Sequence, residues 1–436
     1  MSLTQALRDT ARRRSARPAL RCSGEAIGYA ALIARIDARS DALAAQAEPR
    51  LMRLDPIDPI AFVTEFFAAR AVGRTLVIHA EGVTALLREE REARLAALLS
   101  PLSDESVFYS SGSVGRGKAV PLSESRLLLS AEAYSERAGI APDDCVAVAV
   151  PLGQIFGFVR GIVNPLLVGA EVLFLSPRRD PLRDAQAQGA TFVLLSPAQA
   201  RVAAASSGNV RLSGVLSSGG PLADWAAARI EEERCVRVRL GYGLTESAGL
   251  GSRQYLERPR RPGSSGPPAP GLEVTIQAPD GSEAGPGETG EILLSGGAVF
   301  RGYADPEDPA PFDEGRRLRT GDLGFLDMEG ELHVRGRAVS SIRARGRLLC
   351  AEELEGAVLE HAGVTEAAAI PLGDAFGLLI ATVDSSDELL EEVWKHLARR
   401  LPAFARPRRL RRVERIPRSP SGKVDRAVAA KSFEPA

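Results

Sequence analysis

Four short stretches of the chain combine residue types whose spacing could do chemistry. The first is Tyr109-Ser-Ser-Gly-Ser-Val-Gly-Arg-Gly-Lys118, with three serines and three glycines in ten residues. So few side chains leave the backbone bare and free to curl. Such a loop can aim several N–H groups and hydroxyls at one anion, and Lys118 adds a positive charge, which suits a polyphosphate. In the second, Gly241-Tyr-Gly-Leu-Thr-Glu-Ser247, Tyr242 can stack on a base and Thr245 can donate to a phosphate. Glu246 offers a hard oxygen to Mg²⁺, which takes few protein ligands alongside phosphate oxygens. In the third, Arg319-Thr-Gly-Asp-Leu-Gly324, Asp322 can accept hydrogen bonds from both hydroxyls of a ribose. The fourth, Pro417-Arg-Ser-Pro-Ser-Gly-Lys-Val-Asp-Arg426, sets Lys423 in a turn-rich basic segment. Each also has a plain structural explanation: a solvated loop, a glycine hairpin, an Asx turn, or a lysine on an exposed basic face.

Gly112 to Lys118 also fits the G-x-x-x-x-G-K of a Walker-type phosphate loop. That loop needs Ser or Thr after the lysine to hold Mg²⁺, and Ala119 has no oxygen to offer. An ATPase of that type is therefore the weaker reading.

These stretches need a scaffold, and 436 residues exceed what one core usually supports, so two or more domains are expected. A net charge of −1 argues against a general nucleic-acid binder. The four cysteines, Cys22, Cys145, Cys235 and Cys350, are scattered, which speaks for a reducing compartment and against a zinc site. No signal-peptide pattern opens the chain and no apolar run of about 18 residues occurs, so a cytoplasmic protein without a membrane span is expected. The four histidines, His79, His333, His361 and His396, lie outside every motif, and a catalytic histidine is not expected.

Strand-like runs at Leu51–Leu54, Thr75–His79, Cys145–Pro151, Thr191–Leu195 and Gly214–Leu216 alternate with helical spacing at Ala30–Ala45, Phe62–Val72 and Leu127–Ala138. That alternation predicts an α/β domain with a parallel sheet. Pro262–Gly271 reads as a linker into a β-rich part with strands at Leu272–Gln277, Gly290–Leu294 and Gly330–Val334.

In order and spacing, the motifs resemble those of the acyl-adenylate-forming (AMP-binding) enzymes: acyl-CoA synthetases, luciferases and the adenylation domains of peptide synthetases. The first stretch is similar to their Tyr-Thr-Ser-Gly-Thr-Thr-Gly-x-Pro-Lys, with Val114 and Gly117 as the departures. The second matches Gly-Tyr-Gly-x-Thr-Glu, the third Thr-Gly-Asp followed by Gly336-Arg337, and the fourth the closing Gly-Lys-hydrophobic-Asp-Arg. Pro151-Leu-Gly-Gln-Ile-Phe-Gly157 and Ser217-Ser-Gly-Gly-Pro-Leu222 resemble the segments that border the acyl pocket.

The resemblance implies a large N-terminal domain of α/β subdomains plus a small β-subdomain (residues 1–336), a hinge (337–340) and a small mobile α+β C-terminal domain (341–436). It implies ATP-dependent activation of a carboxylic acid to an acyl-AMP, then transfer to a thiol, either CoA or the phosphopantetheine of an acyl carrier protein. Lys423, Thr245 and Glu246 would be catalytic, with Mg²⁺ on Glu246. Ser110, Ser111, Gly112, Ser113, Gly115, Lys118, Tyr242, Asp322 and Arg337 would hold ATP. Gln154, Gly157, Ser217, Ser218, Gly219 and Gly241 would line the acyl pocket, and Gly346 the thiol channel.

No acidic residue falls in 151–157, where peptide-synthetase domains hold an α-amine, so the implied acid lacks one. The compact N-terminal region and the basic run from Arg399 to Arg426 are similar to short ligases that load aryl acids such as 4-hydroxybenzoate onto carrier proteins in bacterial aryl-polyene pathways. The basic face would be the carrier-protein dock. The chain departs from the family at the hinge, where Val339 and Ser340 replace a pair of acids. A non-catalytic adenylate-binding relative is the alternative that this departure raises.

Overall fold

The computed structural model describes residues 2–46, 51–79, 89–90, 93–95, 105–110, 117–176, 180–345, 347–418 and 424–433. Ser111, Gly112, Ser113, Gly115, Gly346 and Lys423 lie outside them.

Two parallel-rich sheets and their helices build the larger part. Helix Leu3–Arg14 is followed by the hairpin β1 (Pro18–Cys22) and β2 (Glu25–Gly28). A second sheet then runs through β3 (Leu51–Leu54), β4 (Thr75–Ile78), β5 (Glu105–Tyr109) and β6 (Ala119–Ser123), which pair in sequence order. The chain returns to the first sheet with β7 (Cys145–Val148), β8 (Glu171–Phe174), β9 (Phe192–Leu195), β10 (Gly214–Ser217), β11 (Val238–Gly243) and β12 (Gly251–Arg253). The described strands of that sheet stand in the order β12-β11-β10-β9-β7-β8-β1-β2. Residues of β4, β7, β9 and β10 are buried throughout, as parallel strands covered on both faces require.

The helices pack where the apolar spacing places them. Pro59–Ala71 starts at Asp58, whose carboxylate accepts from the Ile60 and Ala61 N–H groups, with Pro59 in the first turn. Phe66 of this helix, Phe108 of β5 and Phe158 meet edge-on and tilted, with ring centroids 4.5 Å (Phe66–Phe158) and 5.2 Å (Phe108–Phe158) apart. Phe158 belongs to a π-helical segment, Phe156–Val163, which opens where the chain leaves β7. Its start is crowded: a Cβ at Gly157 would lie 2.1 Å from the Pro151 carbonyl oxygen, so only glycine fits there.

A four-stranded antiparallel sheet follows: β13 (Leu272–Gln277), β14 (Gly290–Gly296), β15 (Leu318–Leu326) and β16 (Leu332–Arg337). Its register sets Asp322 of β15 directly opposite Arg337 of β16. Beyond a short 3₁₀ turn, Ala338–Ser340, lies the small α+β part. It contains the hairpin β17 (Ser341–Ala344) and β18 (Arg347–Cys350), and the sheet β19 (Val364–Pro371), β20 (Phe376–Thr382) and β21 (Arg409–Arg412). Helix Asp387–Arg400, capped by Ser386, buries Leu389, Val393 and Leu397 at four-residue spacing against this sheet. The small part thus has a core of its own, distinct from the core of the large part.

Candidate active site

The described ends of the phosphate loop close on each other. The Ser110 N–H donates to the Lys118 carbonyl at 3.0 Å, and the Lys118 N–H donates to Ser110 Oγ at 3.3 Å. Lys118 Nζ sits over the Tyr303 ring, 4.4 Å from its centroid. The Tyr303 hydroxyl donates to Glu246 Oε1 at 3.0 Å, and burial with the Glu246 charge pushes the phenol pKa up. One line of side chains, Lys118–Tyr303–Glu246, therefore joins the loop lysine to the carboxylate read as a Mg²⁺ ligand. A cation would take oxygens from Glu246 and from phosphates. One carboxylate alongside phosphate oxygens is a donor set that fits Mg²⁺.

A second line runs beside it. The Tyr242 hydroxyl donates to Asp322 Oδ2 at 2.7 Å, while Arg337 Nε stands 2.7 Å from Asp322 Oδ1. The Asp322 backbone N–H donates to Thr320 Oγ1 at 3.0 Å, which fixes the turn. Gly321 has φ +69°, the left-handed geometry that the turn needs. Burial raises the Asp322 pKa, and Arg337 and the Tyr242 hydroxyl oppose that rise. Tyr242 is thus tied to Asp322 through its hydroxyl, a contact the motifs did not foretell. The ring lies alongside the β10–β11 floor, where Ser218 Oγ donates to the Gly241 carbonyl at 2.8 Å and Gly219 takes φ +86°. Thr245 and Glu246 form a 3₁₀ turn directly after β11.

Under that floor lies a cavity of about 20 Å³, lined by Ser218, Gly241 and Tyr242 on one side and by Tyr134, Arg160 and Arg253 on the other. Its lining contains no carboxylate. Ser217 is buried beside the floor, whereas Gln154 is exposed and Gly157 is held by backbone packing. The structure gathers Ser218, Gly241 and Tyr242 around the cavity and leaves Gln154 outside it.

At the domain junction, Ser340 Oγ donates to Glu352 Oε1 at 2.5 Å. Glu352 Oε2 is buried without a partner, and a Cβ at Gly336 would lie 2.3 Å from it. The segment 337–340, which has no acid of its own, thus meets one from the next helix. Along the basic run, Arg400 meets Glu360, Arg418 meets Glu366 and Arg426 meets Glu355. Arg406 and Arg409 donate to backbone carbonyls. Much of that charge is tied to internal partners.

Motif reading missed Tyr303, Glu352 and the cavity arginines. Nothing in the sequence flagged Arg160 or Arg253.

Fold and site together define a protein with a large α/β part and a small α+β part, in which polar side chains gather about Tyr242, Asp322 and Glu246. Residues 45–304 match the AMP-binding enzyme family and residues 353–423 its C-terminal domain. The chain belongs to the AMP-binding enzyme family. It is 29% identical over 357 residues to a probable CoA ligase of Humulus lupulus, covering 77% of this chain. To the sulfoacetate–CoA ligase of Cupriavidus necator it is 30% identical over 338 residues, covering 73% of this chain. The chain spans 65% of the length of each of these relatives.

Among solved structures it resembles the anthranilate CoA ligase AuaEII in complex with anthranoyl-AMP (TM-score 0.87, 20% identity, 100% of this chain and 97% of that one). It also resembles O-succinylbenzoate coenzyme A synthetase of Bacillus subtilis with ATP and magnesium (TM-score 0.83, 22% identity, 97% and 98%). These likenesses establish the fold. No helix among the described residues is long and apolar enough to cross a membrane.

Proposed function

We propose that this protein activates a carboxylic acid with ATP, forming an acyl-AMP and pyrophosphate, and then passes the acyl group to the thiol of CoA. The observation that carries the reading is the convergence of the two side-chain lines, Tyr242–Asp322–Arg337 on the ribose side and Lys118–Tyr303–Glu246 on the phosphate side.

A carboxylate is a poor electrophile because its leaving group would be oxide. Attack of its oxygen on the α-phosphorus forms a P–O bond, breaks the bond to the β-phosphate and releases pyrophosphate. The protein has to align the reactants and neutralise charge. Thr245 and Lys423 would stabilise the crowded α-phosphate, while residues 110–118 would hold the departing pyrophosphate. Mg²⁺ held by Glu246 would supply charge neutralisation there. A thiolate would then attack the acyl carbon, forming the C–S bond and expelling AMP. Residues 1–336 and 341–436 would act as two bodies about the hinge 337–340, with Gly346 brought to the thiol path.

The cavity lining without a carboxylate supports an acid lacking an α-amine. CoA is favoured as acceptor because the curated relatives are named CoA ligases and because internal partners hold many arginines of the basic face. An aryl acid such as 4-hydroxybenzoate with a carrier-protein acceptor is the alternative pairing. A second reading, a binding-only relative, draws on the Ser340–Glu352 tie across the hinge.

ATP–pyrophosphate exchange with a panel of acids tests the proposal, with Lys423→Ala as control. Exchange that drops by roughly 100-fold or more in the variant supports catalysis. ATP binding without exchange for any acid supports the binding-only reading.

A further inference from the structure

Residues 300–304 have no regular secondary structure, yet they are pinned at both ends to the two motifs that would handle phosphate. The Phe300 N–H donates to the Glu246 carbonyl at 2.8 Å, and the Ala304 N–H donates to the Ala119 carbonyl at 2.9 Å. Ala119 directly follows Lys118, so the segment straps the end of the phosphate loop to the 3₁₀ turn that carries Glu246. Within the strap, Phe300 packs edge-on against Tyr303 with centroids 5.0 Å apart, and it leans on Phe312 at 5.6 Å. Phe300 is buried and Tyr303 half-buried, so the inner ring fixes where the outer one stands.

Tyr303 touches two opposite charges at once. Its hydroxyl donates to Glu246 Oε1 at 3.0 Å, and the Lys118 ammonium lies over its face, 4.4 Å from the centroid. Lys118 and Glu246 form no ion pair with each other, and neither has an ion-pair partner among the described residues.

That separation has to be maintained. A lysine ammonium rides on a flexible four-carbon stem, and a carboxylate one ring away attracts it across a half-buried site that salt screens poorly. Once met, the two groups would satisfy each other. The carboxylate would then present less charge to a cation, and the ammonium less to a phosphate. Tyr303 gives each charge a partner weaker than an opposite ion. The carboxylate receives a neutral O–H donor, and the ammonium rests on the negative face of a ring. Tyrosine does both with one side chain. Phenylalanine would hold the ammonium alone, and leucine neither group.

We propose that Tyr303 is a positioning residue that keeps Lys118 and Glu246 apart, so that the lysine stays free for the phosphates of ATP and the carboxylate for Mg²⁺. The inference rests on the acid-activating reading and adds a residue to its phosphate site. Tyr303 acts only through the two charges it separates.

A spacing role and a merely space-filling one part when Tyr303 and Lys118 are changed together. Calorimetric titration of the full chain with ATP, in saturating Mg²⁺ and again in EDTA, gives the factor by which the metal strengthens binding. Tyr303→Leu should shrink that factor roughly fivefold, the worth of a partly exposed ion pair formed between Lys118 and Glu246. Adding Lys118→Met to Tyr303→Leu should restore the factor to within about twofold of the parent, because Glu246 then has no ammonium to meet. Lys118→Met alone should weaken ATP binding in both solutions and leave the factor within about twofold. Tyr303→Phe, which keeps the ring under Lys118 and loses the hydroxyl, should fall between the parent and Tyr303→Leu.

A factor unchanged in Tyr303→Leu overturns the inference. So does a shrunken factor that Lys118→Met fails to restore, since a packing defect would persist in the double variant. If the Leu variant folds poorly, Tyr303→Met, which fills more of the ring's volume and has no aromatic face, carries the same decision with and without Lys118→Met. Pyrophosphate exchange decides the acid-activating reading separately. A parent that binds Mg²⁺ and ATP but exchanges with no acid loses that reading, while calorimetry still decides the role of Tyr303. A parent whose ATP binding Mg²⁺ does not strengthen overturns the inference whatever its exchange activity.

Discussion

Replacing Glu355 by Gln should remove a pH dependence from the small domain. Glu355 lies in helix Ala351–Leu359, accepts from the Ala369 N–H at 3.0 Å and meets Arg426 at 3.0 Å. Its side chain is 16% exposed. Burial dominates over the Arg426 charge, and the carboxyl pKa is pushed from 4.5 up to about 7. The folded state therefore binds a proton more tightly than the unfolded one. The stabilisation this confers is complete below about pH 4.5 and is lost as pH rises through about 7. A rise of about 2.5 units corresponds to roughly 3 kcal/mol across that window.

Trp394 sits in helix Asp387–Arg400, so its fluorescence follows this domain during urea unfolding once Trp225 has been changed to Phe. The parent should lose roughly 2.4 kcal/mol more than Glu355→Gln between pH 5 and 7.5, because the amide has no proton to bind. At pH 7.5 the variant should be at least as stable as the parent, since Arg426, 31% exposed, can turn to water. Equal slopes for the two proteins would refute the argument that burial outweighs the ion pair. A variant clearly less stable at pH 7.5 would do the same.

Three further outcomes are expected. Asp322→Asn should raise the KM for ATP in the exchange assay by about 10- to 100-fold with kcat little changed, because one charged acceptor is lost at the proposed ribose site. Glu246→Gln should raise the Mg²⁺ concentration needed for half-maximal exchange by at least about tenfold, measured by Mg²⁺ titration at fixed ATP. Gly243→Ala should yield insoluble or strongly destabilised protein, by roughly 3 kcal/mol or more, since its Cβ would lie 2.2 Å from the Gly249 carbonyl oxygen. Chemical denaturation or a soluble-yield comparison checks it.

Strands with short apolar runs were readable: Leu51–Leu54 is a strand as expected, and Cys145–Pro151 and Thr191–Leu195 each shed one end. Burial on both faces leaves a hydrophobic signature, while strand ends depend on partners elsewhere. Phe156–Val163 showed only an apolar stretch, because its widened turn has no mark in composition. The motif residues Tyr242, Asp322, Arg337, Lys118 and Glu246 do come together. Their partners were harder to see. An arginine reads alike whether it faces water or a buried ring, so Arg160 and Arg253 passed unnoticed. Glu355 depends on Arg426, 71 residues away, and only the fold brings them together.

The strand order carries a consequence for how the chain is made. β1 lies inside the large sheet, with β8 on one side and β2 on the other, yet Leu20 and its partner Val172 are separated by about 150 residues. At a synthesis rate of about 5–20 residues per second, the opening hairpin leaves the ribosome roughly 10–30 s before the strand that receives it. During that interval β1 presents an unpaired edge, although helices Tyr29–Ala44 and Pro59–Ala71 can already pack against it. The nascent chain should accordingly recruit holding chaperones early. Refolding from denaturant should be slow and sensitive to protein concentration, because a hairpin from another molecule can fill the same slot.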